Sequence, residues 1–440
     1  MSPDRLTERA PARASDGSSG RVYRKISWRL FPIIIGCYFI AFLDRTNIGI
    51  AQLEMGNQLG LSDAAFGLGA GLFFVGYVLF EVPSNLYMHK IGAKKTVCRI
   101  MVLWGIIAIC TVLVRNPTEF YIMRLLLGAS EAGFFPGIIL YLTYWFPSDM
   151  RARAIGIFIL AQPVSGLIGA PVGGWVLQHL NHDGGLSGWE WLFIIEGAPS
   201  IILGIAVLWL LTDTPQAAKW LTGPEKALVA DALERDRELA KSFALKSLGE
   251  ILKDKYMVLL VFLVFAESMG LYGVSFWLPT LVKQAGVNSF TMTGFVTAAP
   301  YACAVVAMIF VSRSSDRKRE RKWHLSIPFF ATAVGLTACA LLGDHTVAAI
   351  IALCVAGAGA YTVSSQCWNV PPAFFTGVAA AAGIAAINAI GNLGGFVSPY
   401  LIGLSKTVTG GTSLGLYVLS GVLVLGAILT HLLPASRVNR

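Results

Sequence analysis

The feature that most constrains this chain is a series of twelve long apolar stretches spread over its 440 residues. A helix needs roughly 20 apolar residues to cross the hydrocarbon core of a bilayer. The sequence therefore predicts an all-α membrane protein with twelve transmembrane helices. These helices are expected at roughly 29–50, 64–88, 96–115, 118–146, 153–178, 189–211, 255–283, 290–312, 323–343, 346–369, 376–405 and 412–433.

Composition excludes other classes of protein. Charged residues make up 13% of the chain, whereas soluble globular domains carry roughly 25%. Hydrophobic residues make up 55%, and the formal net charge is +9. These values argue against a soluble enzyme, a disordered chain and a nucleic-acid-binding domain.

The distribution of basic residues predicts the orientation in the membrane. Cytoplasmic loops of membrane proteins carry an excess of Lys and Arg. If the twelve helices alternate in direction, 29 of the 34 basic residues fall on the side of the chain termini and three fall on the other side. The remaining two, Arg45 and Arg124, lie inside predicted helices. We therefore expect a bacterial-type inner-membrane protein with both termini in the cytoplasm.

The longest polar segment between apolar stretches divides the twelve helices into six plus six. Each half has a basic loop after its second helix, at 89–95 and at 313–322. Such weak repetition is typical of transporters built from two six-helix bundles. The expected segments are a disordered cytoplasmic tail at 1–28, a six-helix bundle at 29–211, a cytoplasmic linker at 212–254, a second six-helix bundle at 255–434 and a cytoplasmic tail at 435–440.

Four ionisable residues inside the predicted helices are candidates for function. Asp44 and Arg45 lie in the first helix, and Arg124 and Glu131 share one face of the fourth. Charges in mid-membrane are costly, and they mark substrate or ion pathways more often than they only fix helix packing. Arginine holds a carboxylate bidentately, and an acid in a dry cavity resists ionisation and can carry a proton. We therefore predict that the two acids couple protons and that the two arginines bind an organic anion, with Asp44 competing for the neighbouring arginine.

Other polar residues in the apolar stretches are weaker candidates. Glu81, Glu196 and Glu267 are expected to be structural, although Glu267 could lie at cavity depth. For each polar or aromatic candidate, lining a cavity and bonding neighbouring helices are equally open roles. These candidates are Tyr77, Gln162, Tyr272, Trp368, Asn388 and Asn392.

The sequence lacks signals for an enzyme, a cofactor or a metal site. The dipeptide Gly-Lys never occurs, which excludes a P-loop and argues against ATP-driven transport. The seven cysteines show no metal-ligand spacing and are expected to be reduced, buried hydrophobic residues. We predict no cofactor and no enzymatic activity.

Several motifs in combination resemble one family. They are FLDRTN at 42–47, EVPSN at 81–85, RLLLGASEAGFFPG at 124–137, FWLP at 276–279, SDR at 315–317 and NAIGNLGGF at 388–396. With these motifs the chain resembles the major facilitator superfamily from about Tyr23 to Pro434. Within that superfamily it resembles the anion:cation symporter family, most like the tartrate, phthalate and 4-hydroxyphenylacetate permease group.

The resemblance implies proton-coupled uptake of organic anions by alternating access. It assigns proton transfer to Asp44 and Glu131, carboxylate binding to Arg45 and Arg124, and a place near the coupling network to Gln162. The family positions that line the substrate cavity correspond to Tyr77, Trp368, Asn388 and Asn392. The family's conformational loops correspond to His89, Lys90 and Gly92 in the first half and to Asp316 and Arg317 in the second.

The chain departs from the family pattern at four positions. The first loop normally carries an acid and a basic residue where His89 and Ala93 stand. The second loop has Arg319 where glycine is usual, and Asn369 after Trp368 is also unusual. The loop contacts that stabilise one conformation of the transporter are therefore expected to differ here. The substrate preference is expected to differ as well.

These observations predict a proton-coupled importer of an organic carboxylate, either tartrate-like or aromatic. An anion exchanger that uses the same arginines without net proton flow is the alternative, and a membrane-bound carboxylate sensor is an alternative of another class. Paired carboxylates favour the symporter, and the absence of a cytoplasmic signalling domain disfavours the sensor. The expected partners are a small organic anion, protons and membrane lipid, with no nucleic acid and a monomeric state.

Overall fold

The computed structural model describes residues 16–242, 255–343, 345–371, 374 and 378–439. Twelve segments of this described part are helical, long and apolar enough to cross a membrane. The predicted fold class, all-α with twelve transmembrane helices, is therefore confirmed. Consecutive spans are joined mostly by short connections, so neighbouring spans run in opposite directions.

We number the membrane-crossing segments span 1 to span 12 in chain order. Nine are single helices: Asp16–Gln58 (span 1), Asp63–Ile91 (span 2), Ala93–Cys110 (span 3), Gly188–Leu210 (span 6), Lys255–Gln284 (span 7), Phe290–Lys318 (span 8), Lys322–Leu341 (span 9), Thr346–Cys367 (span 10) and Ser413–Leu429 (span 12). Three consist of two helices each: Pro117–Glu131 with Phe134–Thr143 (span 4), Ser148–Ile159 with Ala161–His179 (span 5), and Val378–Gly391 with Leu393–Thr409 (span 11). The other helices of the described residues are Gly223–Ser242, Ala435–Val438 and the 3-10 helices Thr111–Leu113, Asp183–Gly185 and Thr430–Leu432.

The first helix begins earlier than the sequence indicated. Residues 16–28 are helical and continuous with span 1. Val22, Tyr23 and Ile26 recur at helical spacing within this polar stretch, and all three are buried. This apolar face stabilises the helix against the bundle, so the prediction of a disordered tail is wrong over this stretch. Residues 1–15 lie outside the described part of the chain.

The linker helix, Gly223–Ser242, is attached to the N-terminal half. Lys25 Nζ donates to Glu225 at 2.9 Å, and Arg151 pairs with Asp236 at 3.2 Å. The hydrogen bond from Lys25 lowers the pKa of the Glu225 carboxyl below its ordinary value. These contacts lie on the side of the membrane that carries the chain termini, which we call the terminal side.

Three spans are interrupted, and the break in span 4 positions a charged residue. Its first helix ends at Glu131, and Gly133 adopts a left-handed φ of +84° before the second helix starts. A Cβ at Gly133 would lie 2.6 Å from Ser84 Oγ, so this position requires glycine both for its backbone and for space. Spans 5 and 11 are interrupted at Leu160 and Asn392. Broken helices of this kind surround binding sites in many transporters.

The two halves pack closely on the side opposite the termini, which we call the distal side. There Lys406 of span 11 pairs with Asp63 of span 2 at 2.8 Å. A Cβ on Gly67 would lie 2.4 Å from the Pro399 carbonyl oxygen of span 11. A Cβ on Gly174 of span 5 would lie equally close to the Phe290 carbonyl oxygen of span 8. Such backbone approach across small residues is the usual form of close helix packing in membranes. The described structure is therefore closed on its distal side.

The cysteines are all free thiols. The expectation that every one is buried is wrong for Cys303 of span 8, which is exposed. Cys98, Cys110 and Cys354 are half-buried, and the other three are buried.

Candidate functional site

A narrow polar cavity lies between the two halves of the molecule, about midway along the spans. Its volume of about 30 Å³ admits water but is too small for an organic acid. The N-terminal half contributes Tyr38, Arg45, Phe74, Tyr77, Phe135 and Gln162 to its lining. The C-terminal half contributes Glu267, Ser268, Leu271, Tyr272, Ser364, Trp368, Asn388 and Asn392. Seven of the residues predicted to bind substrate are therefore brought together around one cavity.

Arg45 is the one basic residue of this lining. Its guanidinium pairs with Glu131 of span 4 and donates to the Tyr272 hydroxyl of span 7 at 2.7 Å. The ring centres of Phe73 and Tyr77 lie 4.9 and 5.5 Å from its guanidinium carbon, within cation–π distance. A single planar group thus contacts both halves of the protein, and arginine keeps its charge even where it is buried.

Glu131 occupies a position that is unfavourable for a carboxylate on its own. It lies in the last turn of a helix, where the helix dipole presents its negative end. One of its oxygens is paired with Arg45, and the other has no hydrogen-bond partner among the described residues. Ionised Glu131 therefore depends on Arg45, and protonation of Glu131 frees that guanidinium for another anion.

Asp44 and Arg124 lie behind this pair rather than in the cavity lining. They are 1% and 2% exposed and attract each other electrostatically. In the described part of the chain, both oxygens of Asp44 and all three side-chain nitrogens of Arg124 lack a hydrogen-bond partner. Buried polar atoms without partners are rare in folded proteins and need an explanation. A function in which Asp44 and Arg124 change hydrogen-bond partners provides such an explanation.

The competition for Arg45 differs from the sequence expectation. Asp44 was expected to hold the neighbouring arginine, but Glu131 pairs with it instead. Adjacent residues in a helix point about 100° apart, so Asp44 is directed away from its neighbour. It interacts with Arg124, whose guanidinium carbon lies 5.2 Å from the Phe73 ring that also faces Arg45.

Gln162 connects the C-terminal half to the charged cluster, by which we mean Asp44, Arg45, Arg124 and Glu131. Its amide nitrogen donates to the Tyr38 hydroxyl at 2.6 Å, and Ser364 of span 10 donates to its amide oxygen at 3.4 Å. Tyr38 precedes Arg45 by seven residues on span 1, so both side chains share one helix face. The amide therefore lies beside the charged cluster.

The two asparagines of span 11 form a short hydrogen-bonded chain. Asn392 donates to the Asn388 side-chain oxygen at 3.0 Å, and Asn388 donates to Glu81 of span 2. Glu81 is almost fully buried, and its second oxygen has no hydrogen-bond partner in the described structure. This bond joins the two halves beside the cavity. Trp368 closes another part of the wall, with its ring 5.7 Å from that of Phe135.

Sequence reasoning missed several residues of the lining. These are Tyr38, Phe74, Phe135, Ser268, Leu271 and Ser364. Helical spacing was a usable signal for two of them, because Tyr38 lies seven residues before Arg45 and Ser364 lies four residues before Trp368. Glu267 was expected to be structural with uncertain depth, and it lines the cavity.

The first predicted conformational loop lies on the terminal side, away from the cavity. Gly92 has a left-handed φ of +89°, and Lys90 is exposed. The backbone N–H of Lys94 donates to Asp213, which follows span 6, at 2.9 Å. Asp213 thus fixes the start of span 3. The side chain of His89 lies outside the described part of the structure.

The second predicted conformational loop is held by a local ion pair. Asp316 pairs with Arg321 at 2.7 Å, and Arg317 is exposed. Arg319 ends span 8 with a left-handed φ of +51°, one of two non-glycine residues with positive φ in the described chain. Glycine adopts this conformation without strain, which explains why arginine is an unusual choice there.

Comparison with known proteins gives the same architecture. Residues 34–399 match the Major Facilitator Superfamily. The chain is 45% identical over 416 residues to the "Putative tartrate transporter" of Agrobacterium vitis, covering 94% of this chain and 92% of that protein. It is 40% identical over 429 residues to the "Putative metabolite transport protein NicT" of Pseudomonas putida, covering 97% of both. The partially occluded, inward open structure of the Escherichia coli xylose transporter XylE superimposes with a TM-score of 0.71 at 14% identity, covering 91% of this chain and 97% of that one.

The chain therefore belongs to the major facilitator superfamily, and it is a membrane transporter rather than an enzyme. The resemblance to the anion:cation symporter family near the tartrate permeases is also confirmed. The likeness to XylE concerns the fold alone, because so low an identity carries no information on substrate.

Proposed function

We propose that this major facilitator superfamily transporter imports an organic carboxylate together with protons by alternating access. The observation that carries the proposal is the buried pair of Arg45 and Glu131 at the wall of a cavity between the two halves. The name of the Agrobacterium vitis relative supports a carboxylate as substrate. The basic residues on the terminal side support a bacterial inner membrane with cytoplasmic termini, and we propose a monomer.

Charge balance is the proposed link between substrate and protons. Asp44, Arg45, Arg124 and Glu131 carry no net charge together when all four are ionised. A carboxylate that enters beside Arg45 adds a negative charge where water is scarce, and this costs free energy. Protonation of Glu131 removes one negative charge and frees the guanidinium for bidentate binding of the substrate. Protonation of Asp44 likewise removes one negative charge, the one that faces Arg124.

Bonds between the halves provide the proposed link between binding and movement. Tyr272 reaches Arg45 from span 7, and Asn388 reaches Glu81 from span 11. In the described conformation the cavity is too small for an organic acid, so these bonds must change when substrate enters. A substrate that replaces them on one face of the cavity shifts the equilibrium between inward- and outward-facing states.

An anion exchanger that uses Arg45 without net proton flow remains the alternative. Wild-type protein in proteoliposomes distinguishes the two, with labelled tartrate and labelled 4-hydroxyphenylacetate as probes. A symporter accumulates at least one acid when only a pH gradient, acidic outside, is imposed, and a protonophore abolishes the accumulation. Counterflow without pH-driven accumulation would contradict proton coupling and favour the exchanger. Absence of both activities with every organic acid tried would contradict carboxylate transport itself.

A further inference from the structure

An ion pair between the two halves lies at the distal surface, where solvent reaches it. Lys406 Nζ is 2.8 Å from an Asp63 oxygen, and the two side chains are 24% and 27% exposed. Gln52 of span 1 donates to the same Asp63 oxygen at 3.4 Å. The backbone N–H of Ala64 donates to the Thr407 hydroxyl at 3.0 Å, so spans 2 and 11 are bonded at two adjacent positions. A solute on the distal side can therefore reach a contact that holds the halves together.

Lys406 differs from the other basic residues predicted on the distal side, which are Arg115 and Lys283. Arg115 pairs with Glu190 at 3.1 Å, within the N-terminal half. Lys283 Nζ lies 4.8 Å from the centre of the Phe290 ring, within the C-terminal half. Of the contacts described for these three residues, the ion pair of Lys406 joins one half to the other.

Each charge of the pair is also stabilised by its own helix. Asp63 lies in the first turn of span 2, and Lys406 lies in the last turn of Leu393–Thr409. A helix dipole favours an acid at the first turn and a base at the last turn. Partly exposed ion pairs contribute little net free energy. The two charges can therefore separate at small cost, and another anion can replace Asp63 at Lys406.

The spans that carry this pair also line the central cavity. Asn392 lines the cavity directly before the helix that contains Lys406. About 20 Å of helix separates the two residues. On span 2, Tyr77 lines the cavity and Asp63 lies at the distal end. Separation of Lys406 from Asp63 therefore releases the distal ends of two spans that form the cavity wall.

We infer that Lys406 is an entry site for the organic anion, and that the substrate carboxylate opens the distal side by taking the place of Asp63. The inference rests on the proposed function and adds a second binding site to it. The substrate carboxylate occupies the position that an Asp63 oxygen holds in the described conformation, 2.8 Å from Nζ. Lysine acts as a point charge and does not impose a planar geometry. The entry site thus accepts tartrate-like and aromatic acids alike, and Arg45 binds the anion at the centre.

Two variants break the ion pair in ways that the entry site distinguishes. Asp63→Asn removes the acid and leaves Lys406 free, whereas Lys406→Met removes the base with little change in length. Both variants loosen the distal side, but only Asp63→Asn keeps the entry site. The half-saturating substrate concentration should fall about threefold in Asp63→Asn and rise about threefold in Lys406→Met, as expected for a partly exposed ion pair. Initial uptake rates of labelled tartrate and labelled 4-hydroxyphenylacetate are measured at pH 7 in right-side-out membrane vesicles, in which the distal side faces the medium.

Matched variants control for surface charge and for folding. Arg115→Gln removes a distal basic residue whose ion pair lies within one half, so it should keep the wild-type half-saturating concentration. Lys406→Arg keeps the charge and should stay within about twofold of wild type. Gel filtration and thermal unfolding identify variants that fail to fold. If Lys406→Met fails to fold, Lys406→Gln replaces it.

The sign of the two shifts decides between an entry site and a contact that only closes the distal side. Shifts of the same sign and size in Asp63→Asn and Lys406→Met overturn the entry site. An effect of Arg115→Gln as large as that of Lys406→Met also overturns it, because long-range attraction by surface charge then accounts for the result. Either result leaves the proposed function intact, since wild-type uptake of an organic acid supports that function independently. Absence of wild-type uptake overturns the proposed function, and the entry site with it.

Discussion

The two halves of this transporter share a fold but differ sharply in buried charge. Among the described residues, eight buried charged side chains lie before the linker and one, Glu267, lies after it. Apart from Glu267, the C-terminal wall of the cavity is built mainly from hydroxyls, amides and aromatic rings, such as Tyr272, Asn388 and Trp368. The N-terminal half thus holds most of the buried charges, and the C-terminal half holds mainly groups that form hydrogen bonds.

Under the proposed function, this difference predicts a division of labour between the halves. Proton coupling is then expected to depend on the buried charges of spans 1 and 4, such as Arg45 and Glu131. Discrimination among substrate acids is then expected to depend on the cavity-lining residues of spans 7, 10 and 11. In the proposed alternating access the two halves move against each other, so one set of contacts can change while the other stays intact.

The largest effect is expected from Arg45→Lys. Lysine keeps the charge, but it lacks the planar fork of N–H groups with which Arg45 bonds Glu131 and Tyr272 at the same time. A hydrogen bond to a charged group contributes about 1.5–3 kcal/mol, so loss of one or both bonds should lower uptake on the order of 100-fold. Arg99→Lys is the control, because Arg99 bonds Ser84 outside the cavity, and its uptake should stay near wild type. Near-normal uptake by the Arg45 variant would contradict a role for the guanidinium fork.

A smaller loss is expected at Arg124, a buried arginine whose three side-chain nitrogens have no hydrogen-bond partner in the described structure. Arg124→Lys should lower uptake almost as much as Arg124→Ala, by about tenfold in each case, because the planar fork matters as well as the charge. Initial rates in proteoliposomes with matched protein content measure both variants. If the lysine variant transports at the wild-type rate, Arg124 supplies only charge.

Tyr272→Phe tests the contribution of the C-terminal half. It removes the bond from span 7 to Arg45 but no charge, so the substrate concentration for half-maximal uptake should rise about fivefold. The number of protons moved per substrate should stay the same. Tyr361→Phe is the control, because Tyr361 is buried beside Ser275 and does not line the cavity. A changed proton stoichiometry in Tyr272→Phe would contradict the division of labour.

The smallest effect on transport is expected from Arg319→Gly, far from the cavity. The left-handed conformation of Arg319 costs about 1–2 kcal/mol for a non-glycine residue. Glycine should therefore raise the unfolding temperature by a few degrees and leave substrate affinity unchanged. Arg317→Gly, in the helical part of the same loop, should lower that temperature instead. A large change in affinity for Arg319→Gly would contradict its remote role.

The sequence predicted the spans and half of the cavity lining, because both depend on local patterns. Apolar length defines a span, and charges inside a span mark the site, as Arg45 does. The pairing of Arg45 with Glu131 rather than with Asp44 was not predictable, because it depends on how spans 1 and 4 are rotated against each other. The helical stretch at 16–28 was missed because its buried face is short and surrounded by polar residues.

The most direct test of the account uses Asp44→Asn and Glu131→Gln, which mimic the protonated acids. Each variant is reconstituted in proteoliposomes and assayed for counterflow and for accumulation driven by a pH gradient alone. We expect both variants to lose pH-driven accumulation while counterflow persists, because binding at Arg45 remains. If both variants still concentrate substrate when only the pH gradient is imposed, neither acid carries the proton and the central claim is contradicted.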